Sequence, residues 1–394
     1  CLSCYDNLSE SAYLRAKEDY LMGINFSRLL TLKYGSSISS YLNTRYSSIS
    51  VGRVMTCVLG MVVRREREIR EFRKTPFYRV VSTIDTGGPV FEGEWRAVKG
   101  SRYFESFDLY KENGFKDRKK AEELVEFLNR EQPPACQVES IEKKKEKKNP
   151  PLLYNLAELQ NDCSRRFKIS PDETLRIVQE LYKKKLVTYP RTDARVLSSA
   201  VAKEISRQLN GLTGYVPAAP FLRDILQFGS YKNLAKTRYV NDKQITDHYA
   251  IIPTGQGIQA LNSVSAVSRD VYDLIVRRFL SIFYPPAVYQ KISVVTQMQG
   301  ERFFSSFRVL AEEGYLQAAG VRRQSAADQE NESPENENQD KALFEKVQCL
   351  QKGDILPGKN LEIKEGETSP PTRYNYGTKI LAMENAGQLI EEAE

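Results

Sequence analysis

Apolar and polar positions repeat with two different periods along this chain, and each switch between them marks a boundary. Residues 9–34 keep apolar side chains at helical spacing without a proline, so they predict a helix started by Ser9 or Ser11 and stopped by Gly35. A Ser- and Tyr-rich loop follows over 36–50, and Val51 to Phe72 predicts a second helix, apolar at first and densely charged from Arg64 to Glu68. Between Phe77 and Tyr110 the period shortens to β-branched and aromatic runs, Phe77 to Val81 and Val90 to Trp95, parted by the turn Asp85-Thr86-Gly87-Gly88. Residues 117–131 return to helix, ended by Gln132-Pro133-Pro134. Helical spacing resumes from Leu156 to about Leu209, and a second β region spans Tyr289 to Val309 with a turn at Gln299-Gly300.

Two β regions flanking a helical block predict a sheet domain interrupted by an inserted helical domain. The fold class is multidomain and mainly α with a β-rich part, and a length of 394 residues predicts two to four packed units at roughly 100–200 residues per domain. The run Lys143 to Lys148, with five lysines around Glu146, leads into Asn149-Pro150-Pro151 and reads as a solvated linker at a change of domain. Residues 324–341 hold six acidic residues and no aromatics, too little apolar surface to offset ordering entropy, and read as a disordered loop.

Charge and cysteine content narrow the picture modestly. A net charge of +7 makes an anionic partner plausible without identifying it. The six cysteines are too sparse for a disulfide scaffold, which fits a reducing cytoplasm. Cys1 and Cys4 form one C-x-x-C pair with no second pair to complete a zinc site. The longest apolar stretch, Val54 to Val63, is far shorter than the ~20 residues of a membrane helix. The chain opens on cysteine and ends in a helical pattern, so it is expected to be a fragment of a longer protein.

The chemistry gathers around Tyr189. Ser170-Pro171-Asp172-Glu173 is a helix start with Ser170 as N-cap, Pro171 at the first helical position and Glu173 completing a capping box. The helix runs to three lysines, Lys183 to Lys185, that complement its dipole. Pro190 biases Tyr189 to extended backbone, and Thr192 or Asp193 can cap a following helix whose free amides suit a phosphate. A tyrosine that attacks phosphorus must ionise from a pKa of about 10 and needs positive charge nearby. Arg191, two residues on in an extended segment, can supply it.

These segments resemble the active-tyrosine region of type IA DNA topoisomerases, closest to bacterial DNA topoisomerase III. The match runs through Leu153-Tyr154-Asn155-Leu156-Ala157-Glu158-Leu159-Gln160, the capped helix, and Leu186-Val187-Thr188-Tyr189-Pro190-Arg191-Thr192-Asp193. Ile49 to Thr56 is similar to S-V-G-R-V-Q-T, with Met55 in place of glutamine. Asp247 to Thr254 is similar to D-H-H-A-I-I-P-T, with Tyr249 for the second histidine. Pro370 to Tyr374, running on to Met383-Glu384-Asn385, resembles P-P-x-R-Y-T-E, with Asn375 and Tyr376 standing for T-E.

The resemblance implies a toroidal core with helical, winged-helix-like domains. A helical anchoring domain would be built from 1–72 and 366–394, a β-rich arch from 73–150 and 271–365, and a tyrosine-bearing helical domain from 151–270. It makes Tyr189 the nucleophile of a 5′-phosphotyrosine link, with Arg191 and His248 on the scissile phosphate. Arg53 and Arg373 would bind the single strand, with Thr56 and Thr378 as further candidates. Magnesium belongs to an N-terminal TOPRIM domain with an Asp-x-Asp-x-Glu triad that does not occur here, so none is expected on this chain. The implied partners are single-stranded or underwound DNA and a helicase, with no membrane and a monomeric state. The alternative is a non-catalytic single-stranded DNA-binding fragment.

Overall fold

A computed structural model describes residues 5–130, 135–320 and 334–385, with the backbone alone over 334–341. Its contacts divide the chain into two units: residues 1–73 with 370–375 and 385–394, and residues 74–369 with 376–384. The Gln132-Pro133-Pro134 stop, the Cys1/Cys4 pair and residues 324–333 of the expected acidic loop lie outside the described residues.

The first unit contains helices α1 (Asp6–Tyr41) and α2 (Arg53–Glu71). Gly35 does not stop α1. It lies inside the helix as its buried residue, where a Cβ would sit 3.1 Å from the Ser47 carbonyl oxygen. The glycine serves a close approach of the 43–52 loop, which Thr31 and Ser27 hold by side-chain bonds to the Ile49 and Val51 amides.

The second unit is organised by one eight-stranded sheet. Its strands are β1 (Pro76–Asp85), β2 (Val90–Arg96), β3 (Leu109–Lys111), β4 (Gly114–Phe115), β5 (Ala135–Lys148), β6 (Ala287–Met298), β7 (Glu301–Glu312) and β8 (Ile355–Glu367), in the order β2-β7-β6-β5-β8-β1-β4-β3. The β6–β7 hairpin turns on Gln299 (φ 47°) and Gly300 (φ 87°), the positive-φ pair that a tight two-residue hairpin demands. Helix α3 (Arg118–Leu128) and helix α9 (Pro334–Cys349) contribute Leu124, Leu128, Phe344 and Val347 to the core of this sheet, beside Trp95, Phe115 and Phe303. Trp95 stacks on Phe115 at 4.9 Å and donates its indole N–H to the buried Glu301 at 2.7 Å. Ser101 and the Arg102 amide complete that carboxylate's partners.

Two expectations change here. Lys143 to Lys148 are not a linker but the second half of β5, paired residue by residue with β6. The pairing partner lies more than a hundred residues further on, so local charge gave no sign of it. Residues 334–341 of the acidic stretch form the first half of α9.

Between β5 and β6 the chain makes the helical block: α4 (Leu156–Phe167), α5 (Pro171–Lys183), α6 (Ser199–Gly211), α7 (Ala219–Phe228) and α8 (Ala266–Ser281). It has its own core, from Leu153 and Leu159 through Val178 and Leu181 to Tyr272 and Phe279. Side-chain caps at Asn155, Ser170, Ser198 and Ser265 satisfy the first amides of α4, α5, α6 and α8. Helix α10 (Tyr376–Glu384) packs on α4, where Gly377 sits so tightly against Asn161 that a Cβ has no room.

Candidate active site

Three segments far apart in sequence are laced together by backbone hydrogen bonds. The Thr188 amide donates to the Ile252 carbonyl at 3.0 Å, the Thr254 amide to Leu186 at 3.0 Å, and the Ile251 amide to Tyr154 at 2.8 Å. The Leu153 and Leu156 amides donate to Arg195 and Thr192, each at 3.2 Å. Threonine hydroxyls lock the register: Thr188 Oγ1 donates to the Ala250 carbonyl and accepts the Ile252 amide, and Thr192 Oγ1 donates to the His248 carbonyl at 2.8 Å. The segments 153–156, 186–195 and 248–254 therefore hold one another, and Tyr189 and His248 are presented from their rim.

The Tyr189 ring is half-buried and lies 4.4 Å, centroid to centroid, from the exposed His248 imidazole at a tilt of 44°. On another side Tyr182, from the last turn of α5, meets it edge to face at 5.5 Å. Arg191 is exposed, and among the described residues it has no hydrogen-bond or ion-pair partner. Tyr182 was not singled out from the sequence. Its signal is an aromatic residue on the last, lysine-rich turn of α5, seven positions before Tyr189, where no core position is expected.

Within the same knot, Tyr154 has the opposite surroundings. Its buried hydroxyl donates to Asp162 at 2.5 Å, and Arg278 donates to both at 3.0 and 2.9 Å while lying 4.1 Å over the Tyr154 ring. Burial, first of all, pushes the Tyr154 phenol far above its ordinary value. Burial raises Tyr249, beside His248, as well.

The helix expected directly after Tyr189 is not there. Helix α6 begins at Ser199 with Ser198 as its cap, and the Thr192 hydroxyl is taken up by the His248 carbonyl and the Ala194 amide. After Tyr189 the chain does not enter a helix until Ser199.

The remaining candidates divide between the units. Arg53, at the start of α2, forks onto Asp19 at 3.1 and 3.4 Å, and Arg373 forks onto Glu66 at 2.7 and 3.1 Å. The hydrogen bond from Arg373 holds the Glu66 carboxyl below its usual range. Thr56 is exposed on α2, and Thr378 is exposed on α10 in the second unit. Among the described residues, no three His, Cys, Asp or Glu side chains group so as to hold a metal ion, so the magnesium of the implied family does not fit a donor set here. No described helix is long and apolar enough to cross a membrane.

Tyr189 thus stands on a helical block inserted between two paired strands, at the rim beside an imidazole, where a ligand can reach its hydroxyl from solvent. Comparison with known proteins gives the family. The DNA topoisomerase family model matches residues 3–388, and the chain belongs to that family. It is 34% identical over 393 residues to DNA topoisomerase 3 of Bacillus subtilis, covering 99% of this chain and 48% of that protein. It is 35% identical over 390 residues to DNA topoisomerase 3 of Shouchella clausii, covering 98% and 47%. The chain thus spans about half the length of the curated relatives it matches. Full-length topoisomerase I from Thermotoga maritima shares the fold, with a TM-score of 0.61 at 21% identity over 95% of this chain and 52% of that one.

Proposed function

We propose that this chain carries the strand-cleaving tyrosine of a type IA DNA topoisomerase and that Tyr189 is the nucleophile. The reading rests on one observation above others: Tyr189 is held on a hydrogen-bonded rim with its ring 4.4 Å from the ring of His248, the chain's only histidine, two residues from Arg191, which has no ion-pair partner among the described residues. In the step we infer, the Tyr189 phenol gives up its proton and its oxygen bonds to the phosphorus of a DNA phosphodiester. The bond from phosphorus to the 3′ oxygen breaks, and that oxygen takes a proton to leave as a hydroxyl. The 5′ phosphate remains on Tyr189, and attack by the 3′ hydroxyl reverses the exchange.

Arg191 and His248 face the phosphoryl oxygens in this reading and stabilise the charge that develops there. Arg53 and Arg373 hold the single strand, exchanging their carboxylate partners Asp19 and Glu66 for phosphates, with Thr56 and Thr378 as further contacts. Magnesium would be held outside this chain, and no step is assigned to it. Passage of a second strand through the break, and the toroidal architecture that allows it, are proposed for the longer protein.

The test is a labelled single-stranded oligonucleotide incubated with this chain joined to the family's metal-binding domain and magnesium. A covalent adduct is expected, and Tyr189→Phe should abolish it. An adduct that survives that substitution overturns the assignment. Binding without any adduct from the parent protein would favour the non-catalytic single-strand binder instead.

A further inference from the structure

Helix α10 touches the knot that presents Tyr189 at a point the chemistry proposed above leaves unused. Gly377 lets α10 lie close against α4, since a Cβ there would stand 3.0 Å from the Asn161 Cα. From that contact, Glu384 lies about 10.5 Å along α10 and Asn155 about 9 Å along α4, at about 1.5 Å per residue. The two helices therefore run in opposite directions across the contact, and the end of α10 meets the start of α4. There the Glu384 carboxylate accepts from Asn155 Nδ2 at 2.6 Å. A carboxylate on the last turn of α10 opposes that helix's own dipole, whereas the same charge beside the first turn of α4 is favourable. The placement of Glu384 is accounted for by its partner, not by its own helix.

Asn155 is 1% exposed, and every group of its amide is in use. Its Oδ1 caps α4 by accepting the Glu158 amide at 2.9 Å, and its Nδ2 donates to the Asp193 carbonyl at 3.2 Å as well as to Glu384. Asp193 ends the stretch Tyr189-Pro190-Arg191-Thr192-Asp193, which is also tethered through the Thr192 hydroxyl on the His248 carbonyl. We propose that Glu384 is a positioning residue for strand cleavage: by fixing the Asn155 amide it holds the Asp193 carbonyl, and with it the placement of Tyr189 and Arg191 against the phosphate. The inference rests on Tyr189 being the nucleophile, and adds the group that sets the nucleophile's segment in place. Without an acceptor at position 384, one Nδ2 hydrogen is left unpaired beside a buried cap, and the amide is free to turn away from Asp193. The rival explanation is that Glu384 only fastens α10 to the helical block.

The experiment uses this chain joined to the family's metal-binding domain, with magnesium and a labelled single-stranded oligonucleotide, and follows the rate of adduct formation against oligonucleotide concentration. Glu384→Ala should lower the maximal rate by about 10- to 100-fold, the cost of a small misplacement of reacting groups. The half-saturating oligonucleotide concentration should stay as in the parent, because Glu384 acts on the protein segment and not on the strand. Glu384→Gln keeps an acceptor oxygen for Asn155 and should recover most of the rate. Asn155→Ser keeps a capping oxygen but removes both amide donors, and in that background Glu384→Ala should cost nothing further. Glu384→Ala cleaving at the parent rate overturns the proposal, and so does a raised half-saturating concentration with an unchanged maximal rate. Equal losses from Glu384→Ala with and without Asn155→Ser also overturn it, and leave Glu384 as a fastener of α10. A parent that forms no adduct sinks Tyr189 as the nucleophile, a failure distinct from a parent that cleaves and variants that match it.

Discussion

Tyr154 and Tyr189 belong to the same knot of three segments, yet the protein treats their hydroxyls in opposite ways. Tyr154 is enclosed, tied to Asp162 and Arg278, and held neutral by burial. Tyr189 is half-buried at the rim between two rings, with an exposed cation two residues away. A phenol in the first setting braces the fold, because ionising it would place a second negative charge beside Asp162 in a dry interior. A phenol in the second can meet a phosphate without unfolding anything. The rim is tied to its buried neighbour: Ile251, which continues from His248, donates its amide to the Tyr154 carbonyl.

The contrast is broken most severely at Asp162. Its side chain is 7% exposed and pairs with Arg278, itself 14% exposed. Asp162→Ala leaves the Arg278 guanidinium buried without its carboxylate, a change that costs about 3–5 kcal/mol. Urea denaturation should register that loss in the helical block. A loss below about 1 kcal/mol would mean that the network is not what braces the knot.

The sequence already carried the local half of this arrangement. Ser170 caps α5 by accepting the Glu173 amide at 3.2 Å, and Gln299-Gly300 makes the β6–β7 turn, because both signals lie within four residues of where they act. What depends on distant partners was not legible. Gly35 reads as a helix stop until Ser47 is seen against it. The lysine run reads as a linker until β6 pairs with it. Thr192 reads as a helix cap until its hydroxyl is found on the His248 carbonyl, 56 positions away. In the site, the family resemblance pointed to Tyr189 and His248 but not to the Tyr182 ring beside them. Nor did it reveal that Arg53 and Arg373 hold carboxylates contributed by Asp19 and Glu66.

Alkaline pH sharpens the comparison from the buried side. Tyr239, whose hydroxyl donates to the Pro150 carbonyl at 2.7 Å, is pushed up by burial to about 12, and Tyr154 is raised by the same cause. In the unfolded chain these phenols ionise near pH 10. Their contribution is therefore complete below pH 10 and is lost as pH rises from there through the folded value, about 12 for Tyr239. Stability followed by circular dichroism should decline across that window. Tyr239→Phe should make the decline shallower, and an unchanged pH profile would argue that its hydroxyl is not held neutral in the fold.

The smallest expected stability effect separates the rim from the core most cleanly. His248 is exposed, and its side chain touches the Tyr189 ring, while the backbone bond that fixes its position comes from Thr192 to its carbonyl and survives substitution. His248→Ala should therefore shift stability by no more than about 0.5 kcal/mol, as surface changes do. If His248 assists the phosphate, the same variant should lower the yield of the Tyr189 adduct many-fold under conditions where the parent forms it. A stability deficit comparable to that of Asp162→Ala would make His248 a bracing residue like Tyr154. Unchanged stability with an undiminished adduct would remove it from the chemistry and leave Arg191 as the cation that Tyr189 depends on.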